Sequence, residues 1–375
     1  MENVMNKNLR LLCAVALLVL GCSGTQNKSS HLNGPIMEYD SIPNERYVEC
    51  TPLNIKDKHL CSGLMSVCDT LLIFAHPSWD MQLQVINLNT GLCVGEMCPT
   101  GRSHNTYSNA RQFGQFVKEN GEVKLWVHNR LKSLDLINIS RSIEQDLTVF
   151  DRRIEMDELE ACHTTFGFLS AYWLEGDKFV GNVCCYRDYS SSNEDYIPNH
   201  LVIFEGNTDN EVRSYKLYNK GIHNPQIPHI EHPFIFYESY YTLSPDKSHL
   251  AWGMLNADMI NIVDLKSGKV QGSHKRGSGK IADMEGVMTE APKQYFLDVC
   301  SDNKYIYALY GGHLSPERNM PNYADCIMIF DWDGVPVSRI MLSKSINKLA
   351  VDASSSTIYL LNEIDEEVYR IDSNI

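Results

Sequence analysis

Short runs of β-branched and aromatic residues, separated by turn residues, fill most of the chain beyond residue 35. Such runs are typical of strands and hairpins. The clearest stretch has four of them, at residues 240–243, 249–252, 259–265 and 269–271. Pro245 presets φ in the first turn, and Gly268 can adopt the positive φ that the last turn needs. The stretch therefore predicts four antiparallel strands in about 40 residues, the size of one β-propeller blade.

The same pattern recurs in five other parts of the chain, beginning near residues 64, 113, 166, 295 and 349. The last unit has only three strands before the chain ends, and an unpaired strand edge invites aggregation. We expect the segment 36–39 to supply the missing fourth strand. The predicted fold is all-β, a six-bladed β-propeller of four-stranded antiparallel blades whose ring is closed by an N-terminal strand. Length alone also permits seven blades.

The N-terminus has the features of an export signal. Lys7 and Arg10 precede an apolar run over residues 11–20, which is about half the length that a membrane-spanning helix needs. This run is typical of a secretory signal peptide. The end of this run and the two residues after it read Leu20-Gly21-Cys22. This sequence resembles the bacterial lipobox, which implies lipid attachment at Cys22. An ordinary signal peptide with an incidental cysteine is the alternative.

These features divide the chain into three parts. Residues 1–21 are predicted to be a lipoprotein signal peptide, residues 22–34 a small polar tether and residues 35–375 the propeller. Several acyl chains on Cys22 would hold the protein on a membrane. No acidic cluster follows Cys22, which favours the periplasmic face of the outer membrane over the outside of the cell.

Three motifs together resemble the TolB-like six-bladed propeller lipoproteins of Gram-negative anaerobes. They are the lipobox, the Ser-Pro-Asp-Lys turn at residues 244–247 before Leu250-Ala251-Trp252, and strand ends of the type Val263-Asp264-Leu265 followed by Gly268. The resemblance covers most of residues 35–375. It implies the fold and the lipid anchor. It carries over no catalytic residue, because its turn motifs specify the fold and not a reaction, and members of this group are largely of unassigned function.

The charge of the chain argues against one class of partner. Its 33 Lys and Arg residues face 47 Asp and Glu residues, a formal net charge of −14. Nucleic-acid binding needs many basic residues to displace counterions. We therefore expect no nucleic-acid partner.

The strongest cluster of candidate ligands lies between the third and fourth units. His223, His229, Glu231 and His232 fall within ten positions, and imidazole and carboxylate groups can bind zinc. Three prolines and irregular spacing favour a rigid polar loop instead. We predict no metal, no cofactor and no catalytic residue, and we take this loop as a weak candidate binding patch. The carboxylates Glu363, Asp365, Glu366 and Glu367 are interpreted as a solvated hairpin turn.

Cysteine is abundant, with 12 residues in the chain. Apart from Cys13 in the signal and Cys22, several lie in predicted strands, namely Cys184, Cys300 and Cys326, where cysteine packs as a small apolar residue. A large domain has little need of a disulfide framework. We expect mostly free, buried thiols; a bond between Cys93 and Cys98, which flank a short bend, is the open alternative.

Three functions suit these observations. The first is a membrane-anchored envelope lipoprotein whose propeller binds a protein partner or ligand without catalysis. The second is a propeller hydrolase or lyase that acts on a glycan or lactone in the envelope. The third is a sensor of small envelope ligands. We favour the first. A channel lined by three or more ionisable groups around a bound ion would favour the enzyme, whereas an apolar or blocked channel would favour the scaffold.

Overall fold

The chain forms a ring of six sheets in the computed structural model, which describes residues 27–28, 31–129, 133–156, 168–183, 200–206, 210–219, 237–278, 293–314 and 322–372. Four short strands come first: β1 (Asn27–Lys28), β2 (Pro35–Tyr39), β3 (Glu45–Val48) and β4 (Thr51–Pro52). A short 3-10 helix, Lys58–Leu60, then leads into the first blade.

Blades 1 to 5 are each built on four consecutive antiparallel strands, and blade 6 on three. Blade 1 has β5 (Leu64–Cys68), β6 (Leu71–Ala75), β7 (Met81–Asn87) and β8 (Leu92–Pro99). Blade 2 has β9 (Ala110–Glu119), β10 (Glu122–Asn129), β11 (Ser133–Asn138) and β12 (Phe150–Glu155). Blade 3 has β13 (Phe168–Glu175), β14 (Lys178–Val183), β15 (His200–Glu205) and β16 (Asn210–Tyr215).

The second half of the ring follows the same plan. Blade 4 has β17 (Ser239–Leu243), β18 (His249–Met254), β19 (Ile260–Asp264) and β20 (Val270–Lys275). Blade 5 has β21 (Lys293–Ser301), β22 (Tyr305–Leu314), β23 (Ala324–Asp331) and β24 (Pro336–Ile346). Blade 6 has β25 (Lys348–Asp352), β26 (Thr357–Asn362) and β27 (Glu367–Asp372). The predicted all-β, six-bladed fold is thus confirmed.

An N-terminal strand closes the ring, as predicted, but it is a different strand from the expected one. Strand β4 pairs antiparallel with β27 and completes blade 6. The expected segment, β2, instead pairs parallel with β20 at the rim of blade 4, and β3 pairs parallel with β24 of blade 5. The N-terminal segment passes blades 4, 5 and 6 in that order. Only its last strand, close to blade 1 in sequence, is placed to bridge blades 6 and 1.

The one α-helix in the described part of the chain is α1 (Ile139–Gln145), between β11 and β12. The side chain of Asn138 caps it by accepting a hydrogen bond from the backbone N–H of Arg141 at 3.0 Å. Asp146 ends the helix in a left-handed conformation, with φ of 51°. None of the described helices has the length and apolar character needed to cross a membrane.

The core lies between neighbouring blades and consists of facing aliphatic and aromatic side chains. One cluster joins blades 3 and 4 through residues such as Tyr172, Tyr215 and Trp252, and others join blades 5 and 6 and blades 6 and 1. The seven described cysteines have free thiols, Cys93 and Cys98 included, and five of them are buried. Cys162, Cys184 and Cys185 lie outside the described residues.

Candidate functional site

A cavity of about 1050 Å³ lies at the centre of the ring. The first strand of every blade contributes to its wall, namely β5, β9, β13, β17, β21 and β25. The volume is at the upper end of the range for pockets that hold small molecules. The cavity has two distinct polar regions, one formed by blades 4, 5 and 6 and the other by blades 2 and 3.

The first region, the charged cluster, consists of Glu238, Tyr240, Asp298, Lys348 and Glu363. Glu238 comes just before β17, Lys348 opens β25, and Asp298 lies within β21. Because these are the innermost strands of successive blades, closing the ring brings together residues that are far apart in sequence.

Lys348 is the one cation of this cluster. Its ammonium lies 4.9 Å from the centre of the Tyr240 ring. Burial by itself lowers the pKa of Lys348, but the negative field of Tyr240, Asp298 and the other carboxyl groups outweighs it, so the pKa lies above its ordinary value. Lys348 is therefore charged at neutral pH. No hydrogen bond or ion pair to its ammonium is present within the described residues.

Asp298 is held in place by the backbone. The N–H of Val299 donates to its Oδ1 and the N–H of Leu349 donates to its Oδ2, both at 3.0 Å. Leu349 is in blade 6, so this contact ties blade 5 to blade 6 beside Lys348. Burial raises the pKa of Asp298, although Lys348 and the two N–H groups oppose the shift.

Glu363 lies in the predicted hairpin turn, but it belongs to this wall and its carboxyl group is hydrogen-bonded rather than merely solvated. Its Oε1 accepts hydrogen bonds from the N–H of Gly63 at 2.8 Å and from the hydroxyl of Ser62 at 3.3 Å. These contacts cross from blade 6 to the entry of blade 1. The neighbours Asp365 and Glu366 are exposed, as expected.

Glu238 has a raised pKa because the surrounding wall disfavours its charged form, although its side chain remains exposed to solvent. Across the described residues, no hydrogen bond or ion pair reaches its carboxyl group. Counting the described residues alone, an ammonium and a carboxyl group without hydrogen-bond or ion-pair partners therefore line the same cavity.

The second region, the interblade niche, lies between blades 2 and 3. Trp126 stacks on Trp173, with ring centres 5.2 Å apart and planes 19° apart. The side chain of Gln115 holds the Trp173 backbone by accepting from its N–H at 2.8 Å and donating to its carbonyl at 3.0 Å. The Lys247 ammonium lies 3.4 Å from the centre of the Trp173 ring.

Several polar side chains of the cavity wall are buried without a hydrogen-bond partner among the residues that the structure describes. Three of these groups are the hydroxyl of Ser66, the indole N–H of Trp126 and the amide of Asn182. The three residues are 4%, 3% and 1% exposed. More than nine in ten buried polar groups in proteins are paired, and leaving one unpaired costs about 1–3 kcal/mol. Unpaired groups around a cavity are therefore candidate contacts for a ligand.

The site residues predicted from the sequence all fall outside the residues that the structure describes. They are Cys22, His223, His229, Glu231 and His232. In the described part, no group of three or more His, Cys, Asp or Glu side chains is placed to hold a metal ion.

The residues of the charged cluster had no sequence signal. Glu238, Asp298 and Lys348 each occur singly in strand-like sequence, and their spacing matches no motif. They are neighbours only because each belongs to, or borders, the innermost strand of a blade.

The fold and the cavity define a six-bladed β-propeller with a ligand-sized central channel. A family model described as "TolB-like 6-blade propeller-like" matches residues 87–354. The chain belongs to this TolB-like family, and the resemblance in its turn motifs is confirmed. No curated protein matches its sequence.

Two solved structures resemble the ring. One is a member of the DUF4221 family from Bacteroides vulgatus, with 10% identity, coverage of 86% of this chain and 94% of that chain, and a TM-score of 0.50. The other is hydrazine synthase of Kuenenia stuttgartiensis, with 12% identity, coverage of 83% of each chain and a TM-score of 0.43. At this level of identity, the first similarity concerns the fold alone.

Proposed function

We propose that this protein is a lipid-anchored protein of the cell envelope whose propeller binds a ligand in its central channel and does not transform it. The anchor is the lipid on Cys22, and the location is the periplasmic face of the outer membrane. An envelope protein could also bind at the rim, but the binding site proposed here is the central channel.

The observation that carries the proposal is the cavity with its unpaired polar groups. Its volume of about 1050 Å³ suits a drug-sized or larger ligand. Asn182 and Trp126 carry buried hydrogen-bonding groups that lack partners in the described part of the chain. The Lys348 ammonium likewise has no hydrogen bond or ion pair there. A ligand that met these groups would remove their desolvation cost, which is a source of affinity.

Native mass spectrometry tests the binding function. The protein, purified from membranes in mild detergent, is mixed with the small-molecule fraction of an envelope extract. We expect a bound mass that disappears in an Asn182→Ala, Lys348→Ala double variant. It should persist in Lys344→Ala, because Lys344 is exposed on the outer strand of blade 5. Absence of any bound mass at saturating extract, or equal binding by the double variant, contradicts the proposal.

The anchor has its own test. The apolar run followed by Leu20-Gly21-Cys22 supports lipidation, since the thiol of Cys22 is the acyl acceptor. We expect Cys22→Ala to abolish incorporation of labelled palmitate and to move the protein from the membrane fraction to the soluble one. Retention in the membrane fraction would refute the lipid anchor and leave the channel proposal untouched.

A second function, hydrolysis or elimination on a glycan or lactone, is favoured by one observation. Two carboxyl groups with raised pKa values, Asp298 and Glu238, line the cavity beside Lys348, and such groups serve in general acid–base catalysis. Turnover of a lactone or glycan that is lost in Asp298→Asn and Glu238→Gln would establish it. Binding without turnover would leave the ligand-binding function.

A further inference from the structure

We propose that the channel binds a short peptide through its free ammonium and carboxylate ends. This inference rests on the proposed ligand-binding function and narrows the class of ligand. It follows from the opposite unpaired charges in the charged cluster and from the unpaired hydrogen-bonding groups elsewhere on the cavity wall.

Within the charged cluster, the carboxylate end of a peptide can form an ion pair with one residue, Lys348. Asp298 is close enough to raise the pKa of Lys348, but its two oxygens are oriented by the backbone N–H groups of Val299 and Leu349, and no ion pair between the two side chains is present. The ammonium has three donors, and none meets an acceptor among the described residues. A ligand carboxylate would supply the partner that Asp298 does not.

The ammonium end has two partners, Glu238 and Glu363. No donor reaches Glu238 in the described part of the chain, and the bonds to Glu363 from Ser62 and Gly63 engage only its Oε1. The cluster has three carboxyl groups and one ammonium, so a purely anionic group would meet net repulsion there, whereas the other basic residues of the cavity wall, Arg111, Lys118 and Lys247, lie outside the cluster. A zwitterion places its cation where the negative charge is in excess.

The middle of such a ligand would be matched by uncharged groups. A peptide bond offers one donor and one acceptor. The Asn182 amide can satisfy both, the Trp126 indole donates, and the Ser66 hydroxyl does either. All three residues line the same cavity as the charged cluster, and all three side chains lack partners within the described residues. The cavity is also larger than a single amino acid requires.

A neutral saccharide fits less well for two reasons. It would leave Lys348, which is half-buried, without a charged partner, which is unfavourable. Aromatic stacking on a sugar is also restricted, because Trp173 has Trp126 stacked against it and the Lys247 ammonium close over its ring.

Isothermal titration calorimetry with end-blocked peptides tests the inference. The probes are trialanine, a tripeptide pool, N-acetyl-trialanine, trialanine amide and maltotriose, each added to the purified protein. We expect the free peptides to bind at least tenfold more tightly than either blocked form, and maltotriose to bind no better than the blocked forms. Lys348→Met should weaken free trialanine to the level of the amide and leave the amide unchanged. Glu238→Gln should weaken free trialanine to the level of N-acetyl-trialanine and leave the binding of N-acetyl-trialanine unchanged.

Matched controls are Lys344→Met and Glu366→Gln, which change exposed charges outside the cavity and should bind as the unmodified protein does. Unfolding midpoints of all variants show that a loss of binding is not a loss of fold. Equal affinity for free and blocked peptides, or preferential binding of maltotriose, overturns the peptide inference and leaves the channel function standing. Failure of both the peptides and the envelope extract to bind overturns the two together.

Discussion

Arg153 forms a buried ion pair whose loss should destabilise blade 2 strongly. Its Nε and Nη2 donate to the two oxygens of Asp135, each at 2.8 Å, and Asp135 is 0% exposed. The Tyr107 hydroxyl donates to the same carboxylate at 2.6 Å. Arg153→Met leaves that carboxylate buried with Tyr107 as its remaining side-chain partner. Removing one partner of a buried pair costs about 3–5 kcal/mol.

The neighbouring residue provides the control. Arg152 in the same strand pairs with Asp177 at 2.5 Å, but the two side chains are 37% and 44% exposed. A surface pair of this kind contributes about 0–1 kcal/mol, so Arg152→Met should have little effect. Equilibrium urea unfolding of both variants measures the difference. If Arg153→Met costs no more than Arg152→Met, the argument from burial is refuted.

Three further predictions concern the rim, a buried acid and the thiols. In Gly34→Ala the new Cβ would lie 1.8 Å from the carbonyl oxygen of Val270, so limited proteolysis should cut the N-terminal segment faster than in the unmodified protein. Burial raises the pKa of Asp258 in the folded protein above its pKa in the unfolded chain. Ionisation of this carboxyl group therefore destabilises the fold as pH rises from the unfolded-state pKa through the folded-state pKa. Urea midpoints should therefore shift in favour of Asp258→Asn over that interval, and a constant difference would contradict the prediction. Burial also raises the pKa of Cys61 to about 12 and of Cys68 to about 11, so iodoacetamide should label both only after unfolding.

Local signals were sufficient to predict the blades. Asn120 and Gly121 both adopt positive φ, 53° and 80°, as a tight hairpin between alternating strands requires. A turn of this kind depends on two adjacent residues, so the sequence alone reveals it. Repetition of such turns then predicts the number of blades.

The pairing of N-terminal strands with the outer strands of the blades had no comparable signal in the sequence. Strand β2 is separated from its partner β20 by most of the chain, and a parallel pair has no connecting hairpin to mark it. The sequence Pro35–Tyr39 is equally suited to an outer edge of several blades. The path of the N-terminal segment around blades 4, 5 and 6 decides which one it joins.

The candidate site was the least predictable part for the same reason. The charged cluster is assembled from single residues of three blades, and Glu363 enters it only because Gly63 and Ser62 bind its carboxylate across the ring closure. From sequence, a histidine-rich loop attracts more attention than an isolated lysine at the start of a strand. Neither type of residue reveals the geometry of a channel that forms only when all six blades are in place.

A comparison of two lysines shows why the charged cluster points to a ligand. Lys124 is 7% exposed, and its ammonium meets Asp151 at 2.6 Å and Glu119 at 2.9 Å. The fold therefore supplies carboxylate partners for this buried lysine, which lies outside the cavity. Lys348 has carboxyl groups nearby, yet none of the described ones forms an ion pair with it. Natural folds depart from full pairing mainly where function requires it, so an unpaired ammonium in a central channel is best explained as one that a ligand completes.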